Sequence, residues 1–353
     1  MSFIIADGFD DRWNLNNGDG FGDYYDGWGL YDGVWFTDYT YPGIYQGNRE
    51  IGRYGGWCLA LTEADADLDY TQIESSIPSG KNWSGGIALR TWDEDGSCVR
   101  FENATKSGPM IEFNEKGMCE IWRSKAGSGR EVVARSDKTS LLTFFGWHYV
   151  TFETHVGDAG SDYIKVWVDG DLVIDESSLT LNFGGAVDSV CLPYTLNECD
   201  DIWLKNNTST IQPEVRVLAM FPDAAGDDTE CAPVGSASNY LNVNKFEQDF
   251  DDTYNLVDAG EKDSFEMGDI TEQVSAGVAH ALVARFFVKG DAGNTEDIRP
   301  YVIVNSNKYN GSAQTPVEGR YTYIQEIWET NPNTSVAWTL ADLDAVQIGY
   351  EAV

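Results

Sequence analysis

"WHYVTFETHVGDAGSDYIKVWVDGDLVID", residues 147–175, carries two of the chain's three histidines and five aspartates. Such a density of ligating side chains suggests a metal or catalytic centre until strand parity is applied. Successive side chains of a β-strand point to opposite faces of the sheet. Val150, Phe152 and Thr154 then share one face with His148, while Tyr149, Glu153 and His155 share the other. Two imidazoles on opposite faces cannot hold one ion. Asp169-Gly170 stands between Val166/Val168 and Leu172/Ile174, the pattern of a two-residue hairpin turn, and residues 158–160 (Asp-Ala-Gly) form a loop. The aspartates are therefore turn residues, chosen for backbone conformation. The stretch reads as paired strands of a sheet.

The same alternation, broken by Gly, Asp and Asn about every ten residues, continues on both sides, as expected of a sandwich or jelly roll. It predicts strands over 56–62, 85–92, 98–102, 110–114, 118–124, 148–155, 163–168, 171–174, 187–192, 201–204 and 215–220. Further strands are predicted over 281–288, 301–305, 322–328 and 345–350. Only 270–276 and 340–344 read as helix. At 222–238, "PDAAGDDTECAPVGSAS", small, acidic and Pro/Gly residues replace the alternation, which reads as a linker. The expected organisation is a β-domain over 1–222, a linker over 223–238 and a second β-domain over 239–353.

Composition bounds the function. The chain has 353 residues, with 23 Lys+Arg against 58 Asp+Glu and a net charge of −35. A surface this acidic repels phosphate backbones and anionic bilayers, so nucleic acid and membrane insertion are excluded as partners. No basic segment followed by a long apolar run opens the chain, and six cysteines form no CxxC pair, which favours reduced thiols. GxSxG, HExxH, P-loop and GxGxxG signatures are absent. No Glu-x-Asp-x-Glu strand offers glycosidase carboxylates, and the acidic run at 63–69 reads as a solvated edge. His280, alone in an apolar run, reads as a core residue. The expectation is a protein without catalytic residues, without a bound metal and without a cofactor. The exception is Ca²⁺, to which the Asp/Gly-rich segment 16–33 could offer oxygen ligands. That segment, "NNGDGFGDYYDGWGLYDG", followed by Trp35, has two further readings. It is a turn-rich connection whose rings pack under neighbouring strands, or Tyr24, Tyr25, Trp28, Tyr31 and Trp35 form a partner- or glycan-binding surface.

"FDD" at 9–11, "GWHYVTFET" at 146–154, "IKVWVDGDLV" at 164–173 and "DDIWL" at 200–204 together resemble the laminin-G-like, concanavalin A-like jelly roll. The continuation "EVRVLAMFPDAAGDDT" (214–229), "GSASNYLNVN" (235–244) and the closing "AWTLADLDAVQIGYEAV" (337–353) resemble a two-part architecture of tailed-bacteriophage virion proteins. That resemblance implies an all-β chain made in the bacterial cytoplasm and placed on the virion exterior. It would serve there as a non-enzymatic decoration, neck or tail component, bound to other virion proteins and oligomeric with itself. A carbohydrate-binding adhesin that recognises a host surface glycan is the alternative it implies.

Overall fold

The structure is a computed structural model that describes residues 3–7, 36–37, 43–46, 59–62, 72–91, 96–103, 108–124, 130–143, 146–181, 186–193, 197–208, 214–244, 251–291, 293, 296–319 and 321–353. The chain divides into two compact units whose boundary in sequence falls between Val217 and Leu218.

In the first unit the strands are, in chain order, β1 (Phe3–Asp7), β2 (Phe36–Thr37), β3 (Gly43–Gln46), β4 (Leu59–Thr62), β5 (Gln72–Gly80), β6 (Asn82–Thr91), β7 (Gly96–Glu102) and β8 (Pro109–Phe113). They continue as β9 (Cys119–Ser124), β10 (Arg130–Arg135), β11 (Trp147–His155), β12 (Asp162–Val168), β13 (Asp171–Leu179), β14 (Val187–Pro193) and β15 (Asn197–Lys205). They make two antiparallel sheets. One has the order β13-β12-β11-β6-β15-β4-β3 with β1 also paired to β15, and the other runs β10-β9-β8-β7-β14-β5-β2. Non-consecutive neighbours in both sheets make this a concanavalin A-like jelly-roll sandwich, in which alternate residues of each strand face the other sheet. Trp83, Phe101 and Phe152 mark that seam: Phe101 lies edge-on to Phe152 at 5.4 Å and tilted to Trp83 at 6.2 Å. Gly85 makes room for it, because a Cβ there would lie 2.4 Å from the Phe152 ring.

The opening stretch forms β11, β12 and β13. Val150 pairs with Val168 and Phe152 with Val166, and β12 alternates buried and half-buried residues along its whole length. Asp169 and Gly170 take φ of 50° and 83° at the turn, the left-handed conformation that Asp tolerates and Gly favours.

The second unit contains β16 (Pro222–Thr229), β17 (Ala232–Val234), α1 (Asn239–Val243), β18 (Tyr254–Leu256), β19 (Lys262–Met267), β20 (Leu282–Lys289), β21 (Ile298–Val304), β22 (Asn307–Asn310), β23 (Tyr321–Trp328), α2 (Leu340–Asp344) and β24 (Gln347–Ala352). A five-stranded sheet runs β16-β19-β24-β21-β22, and β17–β18 and β20–β23 form two-stranded sheets. Its core gathers Leu282, Val302, Val304, Trp338, Leu343, Val346 and Ile348. The predicted helix over 340–344 forms and is closed by a capping box between Thr339 and Asp342. Of the helix expected over 270–276, only a 3₁₀ turn at Ile270–Glu272 forms.

Three readings need correction. Residues 223–238 are not a linker throughout: β16 is an edge strand with strictly alternating exposure, and β17 follows it. Pro222 is tolerated because it begins an edge strand, and the small residues fit because a Cβ on Gly226 would meet Ser264 and Gln347 side chains at 2.5 Å. Residues 215–220 form no strand; Leu218 and Met220 instead pack against the second unit's core. His280 is exposed rather than buried, since its neighbour Ala279 is tied down only by an isolated bridge to Trp338.

Candidate functional site

The most site-like surface of the first unit is the outward face of its seven-stranded sheet, built around the β8–β9 hairpin. Its turn is Asn114–Gly117. The Gly117 amide donates to the Asn114 carbonyl at 2.6 Å, and Gly117 adopts φ 62°. The Asn114 side-chain oxygen accepts from the Lys116 and Met118 amides, an Asx turn. Its Nδ2 donates to Glu120 Oε1 at 2.6 Å. One residue thus sets the hairpin and orients a carboxylate.

Residues equidistant from Lys116 stand opposite each other: Phe113 with Cys119, Glu112 with Glu120, Ile111 with Ile121 and Met110 with Trp122. Phe113, Ile111, Cys119 and Ile121 are buried and face the sandwich core. Parity sends Met110, Glu112, Glu120 and Trp122 to the other face, joined by Arg100 beside Met110 and by Val132 beside Trp122 and Arg135 beside Glu120. Two glutamates directly opposite repel unless compensated. Arg135 bonds Glu120 Oε1 at 2.6 Å, and Arg130 comes within 3.6 Å of Glu112 Oε2.

This face is recessed. Met110 and Glu120 are each only 3% exposed, although outward residues on an open sheet face would be bathed in water. Arg130 and Arg135 are exposed and Glu112 and Trp122 half-buried, so the face opens toward the β10 edge. Within it the buried indole Nε1 of Trp122 has no hydrogen-bond acceptor among the described residues. A buried donor left unpaired costs about 1–3 kcal/mol and marks a place where a ligand or water oxygen belongs.

The histidine- and aspartate-rich stretch behaves as scaffold. His148 Nε2 accepts from the Thr143 amide at 2.8 Å, which leaves Nδ1–H to donate to Asp169 Oδ2 at 2.7 Å. The other Asp169 oxygen accepts from the Tyr149 amide at 2.8 Å. His155 sits at the opposite end of β11, with Nε2 3.3 Å from Asp158 and Nδ1 3.4 Å from Asp162. Asp162, fully buried, accepts from the Asp158 and Leu181 amides. Hydrogen bonding from Lys81 holds the Asp158 carboxyl below its usual range. Each histidine fastens one end of the hairpin system, and no group of three or more metal-ligating side chains forms among the described residues.

In the second unit, Phe287 stacks on Tyr321 at 4.9 Å and packs against Tyr323 at 4.8 Å, Arg285 lies over the Tyr323 ring and Lys289 over Tyr321. Cation, three rings and cation satisfy one another's faces, so this ladder stiffens β20–β23. Cys119, Cys199 and Cys231 are buried free thiols. Tyr24, Tyr25, Trp28, Tyr31 and Trp35, the expected partner- or glycan-binding residues, lie outside the described residues, as do the Ca²⁺ reading of 16–33 and the acidic run at 63–69.

No family model and no curated protein sequence matches the chain. Solved structures similar to it include an endo-β-1,4-glucuronan lyase from Trichoderma reesei, at 12% identity and TM-score 0.38 over 58% of this chain and 96% of that one. A galectin of Caenorhabditis elegans is similar at 11% identity and TM-score 0.29 over 39% of this chain and 91% of the galectin. A structure of botulinum neurotoxin type C, described as entering cells through two ganglioside molecules, is similar at 10% identity and TM-score 0.33 over 84% and 89%. The expectation of a non-enzymatic protein is corrected by these matches, because a polysaccharide lyase stands among them. That expectation rested on absent sequence signatures and on carboxylates spaced along single strands, and residues that come together only across paired strands leave no such signature.

Proposed function

We propose that the chain is a glycan-binding protein and that the glycan lies along the outward face of the seven-stranded sheet, over Trp122. The unpaired, buried Trp122 N–H carries this proposal. Sugars present hydroxyl oxygens beside apolar C–H faces, and an indole that combines an apolar body with one donor suits both. The flanking Glu112, Glu120, Arg130 and Arg135 supply acceptors and forked donors of the kind that fix hydroxyl orientation. The glycan-related names among the similar solved structures accord with it.

A glycan array followed by calorimetry of the strongest hit tests the proposal. Trp122→Phe, which keeps a ring and removes the N–H, is expected to weaken binding by one hydrogen bond, about 0.5–1.5 kcal/mol or roughly 2- to 12-fold in Kd. Trp122→Ala is expected to weaken it further. A hit whose affinity ignores both substitutions would place the binding elsewhere. The sequence resemblance to tailed-phage virion proteins supports a position for this face on a particle exterior, and antibody labelling of intact virions tests that part separately.

A further inference from the structure

We infer that the glycan on this face is a neutral oligosaccharide laid across the strands, with its apolar sides on one row of residues and its hydroxyls on the next. This rests on the proposal that a glycan occupies that face. The observation behind it is the way the register sorts the outward residues. Met110 on β8, Trp122 on β9 and Val132 on β10 stand in line, and all three present apolar bodies. Glu112, Glu120 and Arg135 form the next line. An irregularity between Val132 and Ala134 brings Arg135, rather than Ala134, opposite Glu120, and bulges of this kind re-aim side chains beside binding sites. With strands about 4.8 Å apart and same-face residues about 7 Å apart along a strand, each line is about 10 Å long and the two run about 7 Å apart. Such a surface is longer than one pyranose ring, and it sorts a sugar's apolar side from its hydroxyl edge.

The charges of the polar line answer one another. Arg135 bonds Glu120 Oε1 at 2.6 Å and Arg130 stands 3.6 Å from Glu112 Oε2, so these four side chains carry no net charge. Arg100, beyond Met110 at the inner end, is likewise engaged. Asn114 Nδ2 also bonds Glu120 Oε1; with both donors on one oxygen, Oε2 is left to accept a hydroxyl. An acidic sugar reaches Arg135 only by taking it from Glu120, which is 3% exposed, and a buried carboxylate stripped of its cation is strongly unfavourable. An amino sugar would in the same way take a carboxylate from its arginine. The chain's net charge of −35 opposes an anionic polymer before contact. A neutral hydroxyl donates to a carboxylate oxygen or accepts from a guanidinium while both ion pairs stay in place.

Exposure gives the ligand its direction. Met110 and Glu120 lie innermost, each 3% exposed, while Val132 is half-buried and Arg130 and Arg135 are exposed on β10, the edge strand of this sheet. The glycan enters over β10 and reaches across β9 toward β8. Trp122 takes the middle sugar and Val132 the outer one. Val132 is therefore a length-determining residue, touched only by a ligand that extends beyond the sugar on Trp122.

The test is calorimetry of the full chain with a neutral mono-, di- and trisaccharide series chosen from the array, and with the same trisaccharides carrying a uronic acid, a sulfate or an amino group. Affinity should rise along the neutral series, and the charged analogues should bind about tenfold or more weakly. The neutral Kd should be the same at low and high salt, whereas an anionic ligand would gain affinity as salt screens the chain's charge. Val132→Ala should weaken the trisaccharide roughly three- to tenfold and leave the monosaccharide unchanged, which also shows that the variant is folded. Charged glycans bound as tightly as neutral ones, a monosaccharide bound as tightly as the trisaccharide, or equal losses for both in Val132→Ala overturns the inference. If the same ligands still lose affinity in Trp122→Ala, glycan binding on this face stands. Failure of every glycan to bind, or binding indifferent to Trp122→Ala, removes the binding proposal as well.

Discussion

The scaffold role of the 147–175 stretch gives a quantitative expectation at Asp169. Its side chain accepts from the Tyr149 amide at 2.8 Å and from His148 Nδ1 at 2.7 Å, while its backbone holds φ 50°. Each hydrogen bond contributes about 1 kcal/mol net, and the side chain is 50% exposed, so no charge premium is added. The left-handed conformation costs an ordinary L-residue roughly 1–2 kcal/mol, a cost Gly escapes and Asn largely escapes. Asp169→Ala should then destabilise the first unit by about 3 kcal/mol and Asp169→Gly by about 2. Asp169→Asn, which keeps an acceptor for Tyr149, should cost about 1 kcal/mol. Urea unfolding followed by tryptophan fluorescence measures the series through midpoints at constant slope. Equal losses in the Ala and Gly variants would remove the backbone part of this reasoning, and a loss below about 0.5 kcal/mol in all three would remove the scaffold role itself.

Further expectations concern the second unit and the thiols. Gly349→Ala would bring a Cβ within 2.4 Å of the Asp263 carbonyl and 2.5 Å of the Tyr301 ring, so a loss of roughly 1–3 kcal/mol is expected. Gly277→Ala, with open space around it, should leave melting unchanged. Asp263 is fully buried and burial raises its carboxyl above the ordinary value. Its contribution is therefore in place below the unfolded-state value and is lost as pH rises through the folded one. Thermal melts across the acid range should show wild type losing stability relative to Asp263→Asn as pH rises, and a pH-independent difference would contradict this. Burial pushes the Cys119 and Cys231 thiols up. Peptide mapping after alkylation should find both unmodified in the folded protein and modified in urea; native labelling at either site would refute it.

Much of this architecture could be read from alternation alone. Parity in 147–155 separated the two histidines correctly, the Asp169-Gly170 turn lies where its flanking apolar residues require, and the short helix expected over 340–344 forms behind a Thr339 cap that the structure reveals. Alternation fails where burial does not demand apolar side chains. β16, "PDAAGDDT", lies at a sheet edge, so composition resembles a loop while the backbone pairs. Conversely, 215–220 is apolar because it packs on a core, not because it pairs. The Glu112–Glu120 pair escaped because its members are eight residues apart. Counting outward from the Asn-Glu-Lys-Gly turn at 114–117 would set Glu112 opposite Cys119, whereas the register is centred on Lys116, so the pairing of the two glutamates was not legible from the turn. The buried, unpaired N–H of Trp122 has no counterpart in sequence, since it depends on the recession of the whole face.

Hydrogen exchange of the full chain, with and without the strongest-binding oligosaccharide, tests the location of the ligand most directly. Slowed exchange should concentrate in β8 to β10, residues 109–124 and 130–135, and should vanish for Trp122→Ala at the same oligosaccharide concentration. Protection confined to the second unit, or to the 16–35 segment with β8 to β10 unchanged, would contradict a glycan site on the seven-stranded sheet.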